Sequence, residues 1–252
     1  MPVALWPALA TRIAQQAGAD VLDLRHLSAA VAGTPNPLFD SSLRQTAYAT
    51  HSLSLQGSWE TFRNDRLSSS HRATSRRKWR QLHKLGTPRF VDAQGVDEAL
   101  SLLSTILSLK RTQCADSGRR DLLAMPGYAD FFREMTRRHF ASGRIRITAL
   151  QIDRSVLAAH WGCVHQGRFL WLMPTYDPAW QRVSPGRLLL EQVLERSFEE
   201  GLDAFDFTIG DEPYKLAYAD THERLGRAVH ARTPLGHAYA WRACREGLPP
   251  KA

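Results

Sequence analysis

A short run near residue 184 has the residue types that bind anions at the start of a helix. Ser184 is a preferred N-cap residue, and Pro185 suits the first position of a helix. The backbone amides of Gly186, Arg187 and Leu188 would then point away from the helix end, where the helix dipole is positive. Such a helix start can hold a pyrophosphate, and Arg187 adds a positive charge. A well-capped core helix that binds no ligand explains the same run equally well.

The sequence predicts that this helix follows an antiparallel meander. Three segments alternate apolar and polar residues in the manner of half-buried strands: 144–152, 156–165 and 168–173. Two-residue turns at Asp153-Arg154 and Gln166-Gly167 separate them. A loop, a helix over 185–200 and a strand over 204–207 complete the order. We expect 168–173 and 204–207 to be adjacent and splayed in one sheet.

The first half of the chain is predicted to be mostly helical. Apolar residues at helical spacing indicate four helical stretches: 3–17, 58–86, 98–112 and 126–141. In the first of these, Leu5, Leu9 and Ile13 mark the expected buried face. In the second, Arg76, Arg80 and Lys84 lie four residues apart, so we expect an exposed basic face, with Trp79, Leu82 and Leu85 turned inward. Residues 33–42 are predicted to be a loop.

One short pattern occurs twice. Gly18-Ala-Asp-Val-Leu-Asp-Leu24 and Gly201-Leu-Asp-Ala-Phe-Asp-Phe207 share the form G-x-D-x-x-D-[LF], and each follows an amphipathic helix. A duplicated helix–strand unit explains this repeat, although four related positions can also arise by chance. If the duplication is real, Met1 lies in the middle of the first copy, and we expect the early strands of that copy to be missing.

Composition limits the classes of protein. The 252 residues carry a net charge of +8, and the pI of about 9.8 favours anionic partners. We expect no membrane span and no signal peptide, because no apolar run is long enough and the start lacks a basic region. Three widely spaced cysteines fit a reducing cytoplasm better than a disulfide framework. Neither a P-loop nor a dinucleotide fingerprint occurs.

No metal site is expected. His160, Cys163 and His165 have the chemistry of ligands, but alternation along a strand puts His160 on the face opposite to the other two.

The segment 144–220 resembles the GNAT acetyltransferases associated with cellulose biosynthesis, the CelD/BcsL family. The resemblance depends on Tyr176-Asp177-Pro178, on the run from Ser184 to Leu189, and above all on the run from Asp206 to Lys215. The basic stretch Arg76–Leu82 is similar to the segment ahead of that family's core. The family is related to the FemABX peptidyltransferases, which pair two GNAT units.

The resemblance implies a fold and a division of the chain. The fold is the α/β GNAT fold, a mixed and mostly antiparallel sheet flanked by helices, preceded by a partial second GNAT-like unit. The implied parts are a partial unit at 1–56, a helical connection with the basic helix at 57–142, and the acyltransferase core at 143–252. A homo-oligomer or a partner chain could complete the first part.

The resemblance also implies acyl transfer from a thioester, usually acetyl-CoA or another acyl-CoA, to an amine. The donor would contact a backbone amide of Met173 or Thr175, since Pro174 cannot donate, and the helix start with Ser184, Gly186, Arg187 and Leu188. The family's usual Gln/Arg-x-x-Gly-x-Gly/Ala pattern is kept here at Gln181 and Gly186, with Ser184 in place of the middle glycine.

Further roles follow from the run Asp206–Lys215. Asp206 would orient or deprotonate the amine, and Tyr214 would protonate the leaving thiolate. Lys215 would bind an anionic group of the acceptor, as a lysine of this kind does in the FemABX relatives. Asp177 and Asp211 are the remaining candidates for substrate contacts. A strand-end cap for Asp206, packing for Tyr214 and a solvated surface position for Lys215 are the non-catalytic alternatives.

Three functions remain open at this point. The first is an acyl-CoA-dependent N-acyltransferase that acts on an amino sugar, an amino acid or a similar small amine, in polysaccharide or envelope biosynthesis. The second keeps the fold but takes aminoacyl-tRNA as the donor and uses the basic helix for RNA, although we expect no nucleic-acid partner. The third is a degenerate GNAT domain that binds or assembles without catalysis.

Overall fold

The computed structural model describes residues 6–31, 34–36, 38, 44–118 and 121–246. Within them the chain forms two compact units that interleave along the sequence. The larger unit comprises Ser52–Thr208 and Ala217–Asp220. The smaller unit comprises the described residues up to His51, together with Ile209–Leu216 and those from Thr221 onward. The predicted loop at 33–42 and the predicted buried residue Leu5 lie largely or wholly outside the described residues.

The larger unit is built on a mixed sheet. Its strands are β5 (Pro88–Asp92), β6 (Ile145–Ile152), β7 (Ser155–His165), β8 (Arg168–Tyr176) and β9 (Ala204–Ile209). They lie in the order β9-β8-β7-β6-β5; neighbours from β5 to β8 are antiparallel, and β8 and β9 are parallel. The predicted meander is therefore confirmed. Gln166 and Gly167 both have positive φ, as a two-residue hairpin turn that matches the strand twist requires.

Helices cover both faces of this sheet. One face packs against α2 (Trp59–Asp65), α3 (Ser69–His83) and α6 (Pro185–Glu199), and the other packs against α4 (Val96–Ser117) and α5 (Tyr128–His139). The first core includes Leu189, Leu194 and Phe205, all fully buried, and the second includes Leu103 and Ile106. Short 3-10 helices occupy Leu122–Ala124 and Pro178–Val183.

Two expectations about the helical region need correction. The predicted single stretch 58–86 is two helices: the first ends at Asp65 with Arg66 as its C-cap, and Ser68 caps the second. The side chain of Ser68 accepts a hydrogen bond from the His71 amide. The basic face of Arg76, Arg80 and Lys84 is exposed as expected, and Leu82 is buried. Leu85, however, is 54% exposed because it lies beyond the end of α3, where the helical spacing no longer applies.

The smaller unit contains α1 (Trp6–Gln16), β1 (Val21–Leu27), β2 (Ala30–Val31), β3 (Thr34–Pro35), β4 (Arg44–Ser54), α7 (Pro213–Tyr218), β10 (Thr221–Ala231) and α8 (Pro234–Glu246), although β4 and α7 each end in the larger unit. Three of its strands lie in the order β1-β10-β4, with β1 and β10 antiparallel, and β2 and β3 form a separate two-stranded antiparallel sheet.

The buried face of α1 differs from the predicted one. Leu9 and Ile13 are each more than a third exposed, and Ala10 and Ala14 are the buried residues. The helix is therefore turned by about one residue from the face that the larger side chains suggested, because alanine allows the backbone to approach its neighbours closely.

Candidate functional site

The start of α6 has the predicted position but not the predicted cap. Ser184 lies in the left-handed region with φ of +52°, and its side chain accepts no capping hydrogen bond from the described residues. Its carbonyl instead accepts from the amides of Arg187 (3.1 Å) and Leu188 (3.3 Å). Those two amides are therefore not available to a ligand, contrary to the expectation. Because Pro185 has no N–H, Gly186 is left as the amide donor at this helix end.

Gly186 is half-buried beside Tyr176, with room for one more carbon atom. A Cβ placed on Gly186 would lie 3.5 Å from the ring of Tyr176, the last residue of β8, which is an ordinary contact. The positive end of α6, a 15-residue helix, therefore meets the end of β8 within the larger unit. The start of α6 therefore offers an anion one backbone amide, that of Gly186, instead of the three that the sequence predicted.

Arg187 is held in a network of polar side chains next to this helix end. Its guanidinium donates to a ring nitrogen of His71 (2.7 and 2.8 Å to the two nitrogens) and lies 3.6 Å from the Glu191 carboxylate. The same carboxylate accepts from the Tyr218 hydroxyl (2.9 Å) and from Ser75 (2.6 Å). Tyr218 is only 2% exposed. The charge of Arg187 is thus fixed beside the helix start.

The protonation of His71 follows from this network. Burial lowers the pKa of His71 below its ordinary value, and the neighbouring Arg187 charge lowers it further. A neutral imidazole can accept from Arg187 at one nitrogen and donate to the Tyr218 oxygen, 2.9 Å from its Nε2, at the other. Tyr218 can then donate to Glu191. The chain of donors and acceptors is consistent only with a neutral His71.

Strand β8 contains a bulge in its pairing with β7. The register with β7 shifts by one residue between Cys163↔Leu170 and Trp161↔Met173. Trp171 packs in the core on the α6 side, whereas Met173, beyond the bulge, packs in the core on the α4 side. Thr175 follows on the same face as Met173. Its hydroxyl is buried and has no hydrogen-bond partner among the described residues.

Strands β8 and β9 are adjacent and then separate, as predicted. Parallel pairing covers Arg168–Leu170 and Ala204–Asp206, and β8 continues to Tyr176 and β9 to Ile209 without further paired residues in this fully described region. This gap opens towards the end of β8 that meets Gly186.

Asp206 and Asp177 both have local structural partners. Asp206 accepts from the Thr208 amide (2.8 Å), which lies at φ of +62°, and it lies 3.5 Å from Arg168. Asp177 accepts from the Ala179 amide (2.9 Å) and so caps the 3-10 helix before Ser184. The contact of Asp206 with the Thr208 amide is of the capping kind that was the alternative to its catalytic role. The proposed chemical roles of both residues stay predictions.

The smaller unit holds the rest of the predicted site residues. Lys215 is 3% exposed; its Nζ donates to the Ile209 carbonyl (2.8 Å) and pairs with Glu212 (2.9 Å). The alternative of a solvated surface lysine is therefore wrong. Tyr214 and Lys215 lie in the short helix α7. Tyr214 is 38% exposed, and Asp211 accepts from His51 Nε2 (3.3 Å).

The described residues contain neither a group of metal ligands nor a helix that could span a membrane. Within the described ranges, no group of three or more His, Cys, Asp or Glu side chains has a geometry that could hold a metal ion. None of the helices in those ranges is both long and apolar enough to cross a membrane.

Sequence comparison decides the family. Residues 69–216, more than half of the chain, match the family described as "Acetyltransferase (GNAT) domain". The chain belongs to the GNAT acetyltransferase family. It is an acyltransferase, and the sheet with its parallel β8–β9 pair is the core of the GNAT fold. No curated protein matches the sequence.

Solved structures share this fold at low sequence identity. FemX superimposes with a TM-score of 0.63 at 10% identity, covering 93% of this chain and 78% of that one. The C-terminal domain of a candidate lysylphosphatidylglycerol synthetase from Agrobacterium fabrum gives 0.59 at 14% identity, covering 94% and 75%. L-PGS from Bacillus licheniformis gives 0.56 at 12% identity, covering 94% and 76%.

Several residues at the GNAT helix start were missed from the sequence. His71, Glu191 and Tyr218 are separated by up to 147 residues, and only the fold brings them together. One signal was available: Glu191 follows Arg187 by four residues on α6, a spacing that pairs opposite charges on one helix face. Nothing local to His71 or Tyr218 indicates their role.

Proposed function

We propose that this GNAT protein transfers an acyl group, most simply acetyl, from acyl-CoA to an amine of a sugar, an amino acid or a similar small molecule. The observation that carries the proposal is the helix start of α6, where the Gly186 amide and the fixed Arg187 charge adjoin the gap between β8 and β9. The CelD/BcsL resemblance supports a place in polysaccharide or envelope biosynthesis. A cytoplasmic location belongs to the same proposal, since three widely spaced cysteines and a CoA donor suit it.

On the donor side, the residues would act through charge and backbone hydrogen bonds. The Gly186 amide and Arg187 would bind the pyrophosphate, with Ser184 and Leu188 fixing the helix start around it. A backbone amide of Met173 or Thr175 would polarise the thioester carbonyl. The buried Thr175 hydroxyl supports a polar ligand at this end of β8 because a buried hydroxyl is normally hydrogen-bonded.

On the acceptor side, the proposal assigns the remaining residues. Asp206 would orient the amine, and Tyr214 would return a proton to the thiolate that leaves as the new amide bond forms. Lys215, with Asp177 and Asp211, would contact polar groups of the acceptor. Lys215 already neutralises Glu212 and donates to a carbonyl, so an anionic acceptor group would have to compete with those partners.

Calorimetric titration of the full chain with acetyl-CoA tests the proposal most simply. We expect saturable one-site binding, and release of free CoA when an amine acceptor such as an amino sugar is supplied. Free CoA that binds with a similar affinity would show that the nucleotide part is recognised. An absence of heat and of protection against thermal unfolding at millimolar acetyl-CoA would reject the CoA donor.

A second candidate donor is aminoacyl-tRNA, as in the FemABX relatives. The observation in its favour is the position of the basic helix α3: Lys78 donates to the Arg182 carbonyl, three residues before the start of α6. The exposed face of Arg76, Arg80 and Lys84 therefore belongs to the same unit as the anion site. One structural neighbour is named as a lysylphosphatidylglycerol synthetase, an activity that attaches an amino acid.

Salt dependence separates the two donors. Binding of tRNA through these three cations should weaken steeply with salt, with a log–log slope of about −2 to −3. Binding of acetyl-CoA should change far less. Loss of tRNA binding in an Arg76→Gln, Arg80→Gln double variant, with acetyl-CoA binding intact, would assign the basic face to RNA.

The third candidate is a GNAT domain that binds without catalysis. Its support is that the amides of Arg187 and Leu188 donate to the Ser184 carbonyl and so are not available to a pyrophosphate at the start of α6. It predicts acetyl-CoA binding without any acyl transfer to a panel of amines.

The organisation of the chain is also proposed. We infer that 1–56 is a partial second GNAT-like unit, that 57–142 is a helical connecting region and that 143–252 is the acyltransferase core. A second copy or another chain could complete the first of these segments. The repeated helix–strand pattern supports this, because both copies end their helix in the same way.

A further inference from the structure

A cavity in the larger unit lies at the opposite end of α6 from Gly186. It has a volume of about 240 Å³ and lies between the last two turns of α6, the end of β5 and the start of β6. Its lining residues on α6 begin at Val193 and end at Glu200. Because a helix rises about 1.5 Å per residue, they lie about 10–20 Å from Gly186 along the helix axis. The cavity is therefore separate from the proposed donor site.

The floor of this cavity is apolar because β7 has a glycine there. Gly162 pairs with Arg146 of β6, and a Cβ at Gly162 would lie 2.9 Å from the ring of Phe169. The missing side chain lets the Phe169 ring lie against β7 and line the cavity. Phe140 and Val193 add apolar surface to the lining. A hydrocarbon group of the size of a benzene ring fits here, since a protein cavity of about 150 Å³ can already hold benzene.

The carboxylates that line the cavity are already bound. Asp92 pairs with Arg196 and accepts from the Thr148 hydroxyl at 2.6 Å. Glu200 accepts from Nε of Arg196 at 3.0 Å. These contacts join the end of β5 to the end of α6, and Arg196 opposes the charge of both carboxylates. A cationic ligand would therefore have to displace Arg196 from them.

Arg146 has a donor that these groups do not use. One of its terminal nitrogens lies 3.4 Å from the Glu200 carboxylate, which is a long contact. Its Nε is buried and has no hydrogen-bond partner among the described residues. A buried donor normally has a partner, since leaving it without one costs free energy. Together, Nε and a terminal nitrogen of an arginine can donate two parallel hydrogen bonds to one carboxylate.

We propose that this cavity binds a small carboxylic acid with a compact apolar body. The carboxylate accepts from Nε and a terminal nitrogen of Arg146, and the hydrocarbon part lies against the Phe169 ring. The volume limits the ligand to about ten non-hydrogen atoms, because sites for drug-sized ligands have roughly 300–1,000 Å³. A singly charged carboxylate suits the site better than a phosphate dianion, since repulsion by Glu200 grows with the charge of the ligand. The inference does not depend on the proposed acyl transfer.

Calorimetric titration of the full chain with phenylacetate and with phenylacetamide tests whether the ligand needs its charge. The two probes have nearly the same shape, and only the first has a carboxylate. We expect phenylacetate to bind at one site with a Kd on the order of 0.1–1 mM, and the amide to bind at least about tenfold more weakly. Equal affinities, or no binding of phenylacetate at ten times the expected Kd, would overturn the proposal.

Arg146→Met tests the residue that holds the carboxylate. Methionine keeps much of the apolar stem and removes the donors, so phenylacetate binding should weaken about ten- to a hundredfold. Arg154→Met makes the same change at the exposed turn between β6 and β7, at the other end of β6, and should bind phenylacetate as the wild type does. Wild-type affinity in Arg146→Met would contradict the proposal. If this variant does not fold, the comparison of acid and amide on the wild-type protein decides.

Competition with acetyl-CoA separates this cavity from the donor site. The affinity for phenylacetate should be the same with and without saturating acetyl-CoA, because the two ligands occupy opposite ends of α6. Displacement of phenylacetate by acetyl-CoA would place it at the donor site and would also overturn the proposal. A protein that binds phenylacetate but not acetyl-CoA would reject the proposed donor and support the cavity as a separate site.

Discussion

Helices α1 and α6 are each followed by a strand, and both helices end in the same kind of cap. They differ in the side chains that they bury. After α1, the amides of Gly18 and Ala19 donate to the Gln15 and Ala14 carbonyls, at 3.1 and 2.8 Å. After α6, the amides of Gly201 and Leu202 donate to the Phe198 and Ser197 carbonyls, at 3.0 and 3.1 Å. Both are Schellman caps with a left-handed glycine, at φ of +62° and +66°. The repeated sequence pattern therefore marks a repeated backbone geometry.

The buried faces of the two helices are not alike. Helix α6 buries a continuous stripe that includes Leu189, Val193 and Leu194, whereas α1 buries Ala10 and Ala14 and leaves Ile13 39% exposed. The same cap geometry therefore does not require the same buried side chains in the helix that precedes it. The start of α6 carries the Gly186 amide and Arg187, which the proposed donor site uses.

The largest expected contrast comes from truncating one large apolar side chain in each of the two helices. Leu194→Ala removes a fully buried side chain and should lower the free energy of unfolding by about 2–5 kcal/mol, since it leaves a cavity. Ile13→Ala removes a side chain that is already 39% exposed and should cost less than about 1 kcal/mol. Urea denaturation of both variants measures this. Equal losses would show that α1 also contributes a packed core.

Acid should destabilise the larger unit through His160. This residue is fully buried beside Trp171, with ring centroids 4.6 Å apart, and burial lowers its pKa from 6.5 to about 3. Above pH 6.5 both folded and unfolded states are neutral at this site. Between pH 6.5 and 3 only the unfolded state is protonated, so stability falls by about 1.4 kcal/mol for each pH unit lost.

His160→Phe tests this source of acid sensitivity. At pH 4.5 the wild-type protein should have lost about 2–3 kcal/mol at this site relative to pH 7, and the variant should retain it. Hydrogen exchange measured by mass spectrometry locates the effect, which should be confined to peptides of the larger unit. Identical pH dependence in both proteins would contradict the assignment.

The two glycine caps should show the smallest and most similar effects. A Cβ at Gly18 or at Gly201 would contact nothing within 4 Å, so the cost of alanine there is the left-handed backbone alone. Gly18→Ala and Gly201→Ala should each lower the free energy of local unfolding by about 1–2 kcal/mol. Local hydrogen exchange measures both free energies of local unfolding. A loss of stability at only one of the two caps would show that they are not equivalent.

Local patterns in the sequence predicted the larger unit well. The strands β6, β7 and β8 follow from alternation and from two-residue turns, and α6 follows from its Leu-Val-Phe stripe. Helix α7 was missed because a six-residue helix has too few turns to show periodicity. The Ser184 cap was wrong because the identity of an N-cap residue does not determine its φ, which the preceding 3-10 helix sets here.

The site was less predictable than the fold because it depends on long-range contacts. Gly186 and Arg187 could be selected from local sequence, since helix starts have a recognisable composition. The partners of Arg187, the burial of Lys215 against the Ile209 carbonyl and the contact of Asp211 with His51 depend on the folded chain. No spacing within the sequence indicates them.

The most direct test of the account compares Gly186→Asp with Gly186→Asn for acetyl-CoA binding by calorimetry. The two side chains have nearly the same shape and both fit beside Tyr176, and an aspartate near a helix start should leave α6 stable. We predict that the added carboxylate weakens binding by about tenfold or more beyond the effect of asparagine, because it repels the pyrophosphate. Equal affinities in the two variants would show that the donor does not bind at the start of α6.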